Sequence, residues 1–263
     1  MQQSIKYALI TGGSQGLGFS IAKYLAGKGY VPILLARTRN KLVKASEAIK
    51  ALGFQAIIFP VDISNIDEIT EVIDTVKQRF RKIDFLINNA CVFQVETLEN
   101  QSCECIKYNI DVGLYGAILV TKLCIPLLSD RSKILFVSSG FGLMGPAGYS
   151  IYSAIKAGVI NFAESVRREL MSQGVDVYVT VPADIDTPGY HKEKESFPDW
   201  MKMSNARGKV MSAETAAQRI IEDCKGKRFF IFPHKNVYLF STLMNIIPNK
   251  LRNYILDKSF PRP

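Results

Sequence analysis

A tyrosine and a lysine stand four residues apart in the segment Tyr152-Ser-Ala-Ile-Lys156. On a helix this spacing places the phenol and the ammonium on the same face, about one turn apart. A phenol with its ordinary pKa of about 10 exchanges protons poorly at neutral pH, and a nearby ammonium lowers that pKa. The pair therefore predicts proton transfer by Tyr152 with help from Lys156. Taken alone, the same spacing also fits two unrelated surface residues.

A serine suited to holding a carbonyl oxygen precedes this pair in the chain. Ser139 lies in Val137-Ser-Ser-Gly140, at the end of an apolar run that reads as a strand. Its hydroxyl can donate a hydrogen bond to a substrate carbonyl. Ser139, Tyr152 and Lys156 are therefore the predicted catalytic residues.

Glycines cluster after the first apolar run, in Thr11-Gly-Gly-Ser-Gln-Gly-Leu-Gly18, where a helix is predicted to begin. Glycine lets the backbone approach a pyrophosphate closely, and a helix N-terminus offers N–H donors and the positive end of its dipole. The alternative is a turn that needs glycine for its conformation alone. The residues predicted to contact a dinucleotide here are Gly12, Ser14, Gln15, Gly16, Leu17 and Gly18.

Other polar residues end the next apolar runs. The second run ends in Ala36-Arg37-Thr38-Arg39, where a protein selective for NAD more often has an acidic residue. Arg37, with Arg39 and Ser14, is therefore predicted to bind the 2′-phosphate of NADP(H); a solvated basic loop is the alternative. The residues predicted to contact the rest of the nucleotide are Asp62 and Ile63 after the third run and Asn89 and Ala90 after the fourth.

These residues need a scaffold that brings the ends of successive strands together. Strands are predicted over 6–11, 31–36, 55–60, 83–87, 133–138 and 175–181, and helices over 16–27, 40–52, 65–80, 103–128 and 152–172. Strict alternation implies parallel pairing with right-handed crossovers and helices on both faces. The predicted fold is a single-domain α/β protein, a doubly wound parallel sheet of the Rossmann type in three αβα layers. Its ligand crevice lies beyond the carboxyl ends of the strands.

Composition excludes several other classes of protein. The 263 residues are 48% apolar and 22% charged, as in ordinary globular proteins and unlike collagen, coiled coils or disordered tails. The five cysteines show no paired CxxC spacing and only two histidines occur, which favours a reducing compartment and argues against a structural metal site. We read no signal peptide at the start of the chain, and a cytoplasmic protein is expected.

The positive charge is concentrated at the C-terminus. Of the net charge of +9, residues 225–263 contribute eight Lys or Arg and one Asp. We therefore divide the chain into a catalytic domain over 1–232 and a basic, apolar tail over 233–263. Its apolar stretch over 237–247 is too short to span a bilayer, and it suits an interface better than nucleic acid. Peripheral contact with the cytoplasmic face of a membrane is one expectation; a helix packed on a partner copy or on the body is the other.

Taken together and in this order, the motifs resemble those of the short-chain dehydrogenase/reductase family, over about residues 5–231. The resemblance implies hydride exchange between a nicotinamide and a carbonyl/alcohol pair, with Tyr152 protonating the carbonyl oxygen, Lys156 holding the nicotinamide ribose and Ser139 orienting the substrate. It further implies a homodimer or homotetramer that pairs through helices 103–128 and 152–172. The segment 182–188 would position the carboxamide through Pro182, Ile185 and Thr187.

Two positions depart from the family pattern. The long fourth helix usually has an asparagine that supports a proton-relay water, and that position is Gly113 here. Asn109, one turn earlier, is a candidate substitute. Ala183 stands where a glycine commonly follows the proline, which restricts the turn slightly. Gly113 leaves open an NADP-binding scaffold without turnover as an alternative to an enzyme.

The substrate is suggested by the run Pro182-Ala-Asp-Ile-Asp-Thr-Pro-Gly189, which is similar to that of 3-ketodihydrosphingosine reductases. The resemblance implies NADPH-dependent reduction of the 3-keto group of a long-chain amino ketone. Asp184 or Asp186 could pair with the substrate ammonium, or both could merely cap the following turn. Residues 191–211 would cover the substrate as a lid or form a surface loop. A reductase of 3-oxoacyl thioesters, steroids or xenobiotic ketones is the close alternative.

Overall fold

The structure is a computed structural model that describes residues 5–202, 210–226 and 228–260. The strands are β1 Lys6–Thr11, β2 Tyr30–Ala36, β3 Ile57–Pro60, β4 Phe85–Asn88, β5 Lys133–Val137, β6 Asp176–Thr180, β7 Ile185–Asp186, β8 Met211–Ser212 and β9 Phe230–Ile231. The helices are α1 Gly16–Gly27, α2 Arg39–Ala51, α3 Ile66–Phe80, α4 Cys103–Ile110, α5 Gly116–Cys124, α6 Ser150–Leu170, α7 Pro188–Glu195, α8 Asp199–Lys202, α9 Ala213–Asp223, α10 Lys235–Ile246 and α11 Asn249–Ser259.

Seven of these strands form one parallel sheet in the order β3-β2-β1-β4-β5-β6-β9. This confirms the predicted doubly wound sheet, with shifts of one or two residues at strand ends. The edge strand β9 was not predicted, because its two residues, Phe230 and Ile231, become a strand only by pairing with Val179 and Thr180. The strand order reverses between β1 and β4, which is where a doubly wound sheet binds its ligand.

Helices cover both faces of the sheet and confirm the three-layer architecture. Successive residues of β1 alternate between the faces: Leu9 packs in one buried cluster, while Ala8 and Ile10 pack in the other. One cluster includes residues of α1, α2 and α9, and the opposite cluster includes residues of α3, α5 and α6. Burial on both faces explains why the central strands read as continuous apolar runs.

The helix predicted over 103–128 is one run whose helical type changes. Between α4 and α5 lies a π-helical stretch, Asp111–Tyr115, and a 3₁₀ turn follows at Ile125–Leu127. The two glycines of this region pack tightly: a Cβ at Gly113 would lie 2.8 Å from Ile155 Cγ2, and one at Gly116 would lie 2.9 Å from Ile63 Cδ1. By length and composition alone the run Cys103–Leu127 could cross a membrane, and half of its apolar window is buried in the fold.

The C-terminal helices α10 and α11 lie against the body of the protein. Val237 packs against the buried cluster on one face of the sheet. Arg252 donates a hydrogen bond from Nη2 to the Leu143 carbonyl at 3.3 Å. The Phe260 ring lies 6.1 Å from that of Phe141, measured between centroids. Residues 233–260 therefore cover the loops that follow β5.

Candidate active site

A cavity of about 870 Å³ opens at the carboxyl ends of the strands. Its size is within the range of pockets that hold small molecules and cofactors. The residues predicted from the sequence as the catalytic set and as cofactor contacts line this cavity, except Gly18 and Arg39. Gly18 lies behind the glycine loop, where a Cβ would come within 2.5 Å of Asn89 Nδ2 and of the Gly12 carbonyl oxygen. Its contribution is therefore to the packing of the loop.

The glycine loop forms one wall of the cavity and suits a phosphate. Gly12 and Gly16 have φ angles of 65° and 57°, which residues with a side chain rarely adopt. Gln15 precedes the first turn of α1, and no side chain caps the N–H groups of that turn among the described residues. These N–H groups can donate hydrogen bonds to an anion, and the positive end of the α1 dipole attracts it. The loop thus fits a pyrophosphate.

The predicted dinucleotide contact Asn89 has most of its polar atoms engaged in holding this loop. Its Nδ2 donates to the carbonyls of Thr11 at 3.0 Å and Gly12 at 3.3 Å, and its backbone N–H donates to Thr11 Oγ1 at 3.0 Å. The Ala90 N–H shares the same hydroxyl at 3.1 Å. Asn89 lines the cavity, but its amide fixes the distance between the first and fourth strand ends.

Two cations lie at the end of the cavity formed by β2 and α2. Arg37 is exposed, its Nη1 lies 3.9 Å from Asp62 Oδ2, and its guanidinium lies 5.2 Å from the centre of the Tyr108 ring. Lys41 donates from Nζ to Gln15 Oε1 at 3.0 Å and lines the cavity, whereas Arg39 does not. The second cation is therefore Lys41 in place of the predicted Arg39. The sequence could have indicated Lys41, because this residue lies on the first turn of the helix predicted after the second strand.

The three predicted catalytic residues meet at the other end of the cavity. Ser139 follows β5, and its hydroxyl accepts a hydrogen bond from the Phe141 N–H at 3.2 Å. Tyr152 and Lys156 lie one turn apart on α6, with the ammonium 5.5 Å from the centre of the phenol ring. Lys156 is 4% exposed and donates from Nζ to the Val137 carbonyl at 2.8 Å. An ammonium has three donors, so it can bind further acceptors in the cavity.

Burial raises the pKa of Tyr152 above its ordinary value, and the nearby Cys91, Glu193 and Asp184 raise it further, while a hydrogen bond with Ser139 lowers it. The lowering of this pKa by Lys156 that the sequence predicts stays a prediction. Desolvation disfavours the charged phenolate more than its neighbours stabilise it. Tyr152 is consequently a neutral proton donor over the ordinary pH range, which suits protonation of a carbonyl oxygen.

Neither candidate for the family asparagine contributes to the cavity. Gly113 packs beneath it, because a Cβ there would lie 2.8 Å from Ile155 Cγ2 and 3.3 Å from Cys91 Sγ. Asn109 is buried and donates from Nδ2 to Cys105 Sγ at 3.6 Å, and it does not line the cavity. The proposed substitution by Asn109 is therefore not supported by the structure, and an asparagine at position 113 would not fit without a shift of the Ile155 side chain.

An aromatic cluster surrounds the Tyr152 ring. Phe93 lies 4.4 Å away and Phe141 lies 6.5 Å away, measured between ring centroids. Trp200 and Met201, from the segment predicted to form a lid, pack in the same cluster. The middle of that segment, residues 203–209, lies outside the described residues. The apolar surroundings suit a hydrocarbon chain next to the reacting carbonyl.

The two predicted aspartates have different surroundings. Asp184 lines the cavity. Asp186 is exposed and does not line it: its Oδ1 lies 2.6 Å from Nε2 of His191. Of the two aspartates predicted as partners for a substrate ammonium, only Asp184 is therefore placed at the cavity. Thr187, whose hydroxyl accepts from the Tyr190 N–H at 3.1 Å, caps α7 and so fixes the direction in which that helix leaves the site.

Sequence reasoning missed several residues that line the cavity. Glu193 on α7 and His234 before α10 belong to this group, as do Val237, Phe240 and Phe260 from the C-terminal segment. Neither Glu193 nor His234 follows a predicted strand, and the sequence analysis assigned the residues of α10 to the C-terminal tail. Only the packing of α7 and α10 over the strand ends places these residues at the site.

The comparison with protein families agrees with the observed fold. A family model described as short chain dehydrogenase matches residues 6–197. The chain belongs to the short-chain dehydrogenase family. It is therefore an oxidoreductase of a family that uses a nicotinamide dinucleotide, NAD or NADP.

Several curated members of this short-chain dehydrogenase family are similar over most of the chain. A 3-dehydrosphinganine reductase of Arabidopsis thaliana is 33% identical, over 90% of this chain and 72% of its own. A second 3-dehydrosphinganine reductase, from Danio rerio, is 27% identical over 90% of this chain and 74% of its own. A 3-oxoacyl-[acyl-carrier-protein] reductase of Synechocystis is 36% identical over 68% of this chain and 74% of its own.

Solved structures of short-chain dehydrogenases share the fold. One from Burkholderia cenocepacia, in complex with NADP, has a TM-score of 0.75 and 24% identity, covering 88% of this chain and 98% of its own. Another from Burkholderia phymatum, in complex with NAD, has a TM-score of 0.81 and 21% identity, covering 100% of this chain and 98% of its own. At these identities the likeness concerns the architecture.

Proposed function

We propose that this short-chain dehydrogenase reduces the 3-keto group of 3-ketodihydrosphingosine, a long-chain 2-amino ketone, to the alcohol with NADPH. The observation on which the proposal rests most is the combination found in one cavity: a neutral phenol, an aromatic wall and two carboxylates, Asp184 and Glu193. A phenol can protonate the ketone oxygen, aromatic side chains suit the hydrocarbon chain, and carboxylates suit an ammonium. The similarity to 3-dehydrosphinganine reductases supports the same substrate.

In this proposal each polar side chain at the reacting end has one role. Ser139 donates a hydrogen bond to the ketone oxygen and thereby orients it, and Tyr152 transfers its proton to that oxygen as the alcohol forms. Lys156, anchored on the Val137 carbonyl at 2.8 Å, binds the hydroxyls of the nicotinamide ribose. The proton leaves a tyrosine whose burial disfavours a lasting phenolate, so a proton must return from solvent after each turnover.

The nucleotide end fits NADP(H), which would supply the hydride. The glycine loop with Gly12, Gly16 and the first turn of α1 would hold the pyrophosphate, and Asp62 and Ile63 would contact the adenine. Arg37 and Lys41 would bind the 2′-phosphate. Arg37 follows β2, where NAD-selective members of doubly wound folds more often have a carboxylate, and Lys41 lines the same cavity from the first turn of α2. Ile185 and Thr187, with Pro182, would position the nicotinamide carboxamide.

A panel of ketones with NADPH tests this proposal. The purified protein is assayed for NADPH oxidation with 3-ketodihydrosphingosine, a 3-oxoacyl thioester and a steroid ketone. We expect the highest kcat/KM for the amino ketone. A higher kcat/KM for the thioester would overturn the choice of substrate and favour the second candidate, to which the similarity with the 3-oxoacyl-[acyl-carrier-protein] reductase points. Binding of NADPH without turnover of any ketone would favour the scaffold.

We also propose that the protein is cytoplasmic and meets a membrane surface through the helices α10 and α11. The residues of these helices that combine large apolar side chains with exposure are Tyr238, Leu239, Leu243, Ile246, Leu251 and Tyr254. Basic residues lie in the same helices, among them Lys235, Lys250 and Lys258. Exposed apolar and basic groups on one helical segment favour the interface of an anionic bilayer. The same helices contribute to the cavity wall, so a lipid substrate would have a short path to the site.

Assembly of identical copies is a further part of the proposal. Pairing through α4, α5 and α6 is what the family resemblance implies. Ile110 and Tyr115 are exposed at the C-terminal end of α4 and in the π-helical stretch that follows it, with 38% and 41% of their surface accessible. Light scattering of the purified protein should give the mass of two or four chains, and the mass of one chain of 29.4 kDa would refute this part.

A further inference from the structure

The C-terminal segment forms one side of the cavity, although no sequence motif includes it. We call the residues that form this side the C-terminal wall: His234, Asn236, Val237, Phe240, Ser259 and Phe260. None of them is a Lys, Arg, Asp or Glu. Burial lowers the pKa of His234 below its ordinary value, so this ring is neutral at neutral pH. The C-terminal wall therefore carries no charge.

Helix α10, which contributes to this wall, has two different faces. Val237, Phe240, Ser241 and Met244 recur at the spacing of one helical face. Ser241 and Met244 are buried, and Val237 and Phe240 line the cavity. The large apolar residues on the other face are exposed, namely Leu239, Leu243 and Ile246. Val237 and Phe240 thus form the inner face of a helix whose outer face meets solvent.

A line of aromatic rings connects the reacting phenol with the C-terminal wall. The ring of Phe141, in the turn after β5, lies 6.5 Å from that of Tyr152 and 6.1 Å from that of Phe260, measured between centroids. Both contacts are edge to face, and all three rings line the cavity. Arg252 holds α11 against the same turn through its hydrogen bond to the Leu143 carbonyl. An apolar surface therefore runs from Tyr152 to the end of α11.

The apolar cluster around Tyr152 is closed on the side of α8. Trp200 and Met201 pack in this cluster, and a Cβ at Gly148 would lie 2.9 Å from Met201 Cε and 3.2 Å from Trp200 Cη2. Neither Trp200 nor Met201 lines the cavity. The nucleotide end, in turn, is lined by charged residues, namely Arg37, Lys41 and Asp62. Among the described residues, the apolar surface that leads away from Tyr152 without charge or close packing is the one along Phe141 and the C-terminal wall.

We propose that the hydrocarbon chain of the ketone lies between Phe141 and the inner face of α10 and contacts Phe240 and Phe260. The inference rests on the proposed function, in which the substrate is a long-chain ketone. It makes Phe240 and Phe260 the residues that favour long chains over short ones, because each methylene that leaves water for this surface is stabilised by the hydrophobic effect. The same wall offers no cation to the phosphate of a carrier-bound thioester.

The test measures kcat/KM as a function of chain length for straight-chain, uncharged ketones, with saturating NADPH and without lipid. In the wild type we expect kcat/KM to rise about fourfold for each methylene that contacts the wall, which corresponds to about 0.8 kcal/mol. Phe240→Ala and Phe260→Ala should each lower kcat/KM for the longest ketone about tenfold, since part of a buried apolar contact is lost. The loss should be much smaller for the shortest ketone, whose chain ends before these rings.

Two further variants separate contact with the chain from a structural role. Phe260→Leu keeps a large apolar side chain and should recover most of the kcat/KM for the longest ketone. Phe54→Ala makes the matched change at an exposed ring outside the cavity and should leave the dependence on chain length unchanged. A flatter dependence in Phe54→Ala, equal to that in Phe260→Ala, would show that the effect does not come from the C-terminal wall and would overturn the inference.

Trp200 provides a readout that is independent of turnover, because it is the single tryptophan of the chain and packs in the aromatic cluster with Tyr152. Its fluorescence is followed while the alcohols that correspond to the ketones bind in the presence of NADPH, which prevents their oxidation. The dissociation constant should fall with chain length in the wild type. It should fall less steeply in Phe240→Ala and Phe260→Ala.

The outcomes distinguish this inference from the proposed function. Equal losses for short and long ketones in both phenylalanine variants, or no loss for either, would overturn the inference, while the proposed reaction would stand. Wild-type protein whose kcat/KM and alcohol binding are independent of chain length would overturn it too. Wild-type protein that shows the dependence on chain length but does not turn over 3-ketodihydrosphingosine would overturn the proposed substrate and support the chain site.

Discussion

At the scale of single residues, the proposed chemistry depends on a phenol whose pKa is raised by the fold. Tyr152 lies among aromatic rings, and burial raises its pKa, with Cys91, Glu193 and Asp184 acting in the same direction. Lys156, which the sequence suggested as the opposing influence, has its ammonium bound to the Val137 carbonyl at 2.8 Å. The arrangement favours a proton donor over a preformed base, in agreement with ketone reduction as the proposed direction.

Replacing Tyr152 by phenylalanine should remove the proton donor and preserve the aromatic packing. We expect Tyr152→Phe to lower kcat about 100-fold or more, in line with the usual effect of losing a general acid. The dissociation constant for NADPH, measured by fluorescence of the bound nucleotide, should change little. Turnover equal to that of the wild type would show that another group protonates the ketone.

Arg37 and Arg39 form a matched pair for testing the nucleotide preference. Both are exposed, but only Arg37 lines the cavity. Arg37→Asp should lower the ratio of kcat/KM for NADPH to that for NADH about 10- to 100-fold, because a carboxylate repels the 2′-phosphate and accepts from a ribose hydroxyl. Arg39→Asp makes the same change in charge and should have a much smaller effect. Equal effects of the two variants would mean that the preference follows overall charge and not a contact.

At the scale of elements, the junction of α4 and α5 accounts for the missing asparagine. Gly113 belongs to the π-helical stretch Asp111–Tyr115 and is buried against α6, where Ile155 Cγ2 occupies the space that a side chain would need. The sequence revealed the substitution but not its cause. The close approach of two helices, which no local pattern encodes, determines that only glycine fits.

A double-mutant cycle of Gly113 and Ile155 measures the coupling free energy between the two helices at this contact. Gly113→Ala should lower the free energy of unfolding by about 1–3 kcal/mol, the usual cost of overpacking a core. In the background of Ile155→Ala the same change should cost much less, because Cγ2 is gone, and urea denaturation of the four proteins gives the coupling.

Gly27→Ala is the control for this cycle, since a Cβ at Gly27 of α1 meets nothing within 4 Å. That change should be neutral or slightly stabilising. Additive effects of the Gly113 and Ile155 substitutions would refute the proposed contact between the helices.

At the scale of the whole molecule, the C-terminal segment is part of the active-site wall as well as a candidate lipid contact. Val237, Phe240 and Phe260 line the cavity, whereas Leu239 and Ile246 are 66% and 76% exposed. Removing the tail would therefore alter ketone binding together with any membrane binding. The two roles have to be separated by substitutions on the exposed face alone.

Such a variant is Leu239→Ser, Leu243→Ser and Ile246→Ser together. We expect its partitioning onto vesicles with anionic lipid, measured by sedimentation, to fall at least about tenfold, because each leucine or isoleucine side chain contributes roughly 1.5–3 kcal/mol when buried. Kinetics with a short, water-soluble ketone should be retained.

The matched control for the membrane prediction changes three exposed apolar residues elsewhere, Leu52, Ile66 and Met171, to serine. This variant should bind vesicles like the wild type. Loss of binding in both variants, or in neither, would contradict a specific lipid contact by α10. Binding of the wild type should also weaken as salt concentration rises, because the basic residues near the contact are then screened.

The sequence by itself determined the six longest strands, the helices between them and the residues at the strand ends. It could do so because each buried parallel strand is a short apolar run and each glycine or YxxxK motif acts over a single turn. Gly12, Arg37, Ser139, Tyr152 and their neighbours lie at one cavity because parallel topology alone brings the carboxyl ends of strands together.

Only the tertiary structure decided which residues outside the motifs line the cavity. Glu193 and His234 lie in α7 and before α10, elements whose positions depend on packing over distant strands, and the strand β9 exists only through its partner β6. The direction of the Tyr152 pKa shift also follows from burial, which is a property of the assembled site. Local patterns encode neighbours within a few residues, whereas desolvation and contacts between elements are fixed only when the whole chain has folded.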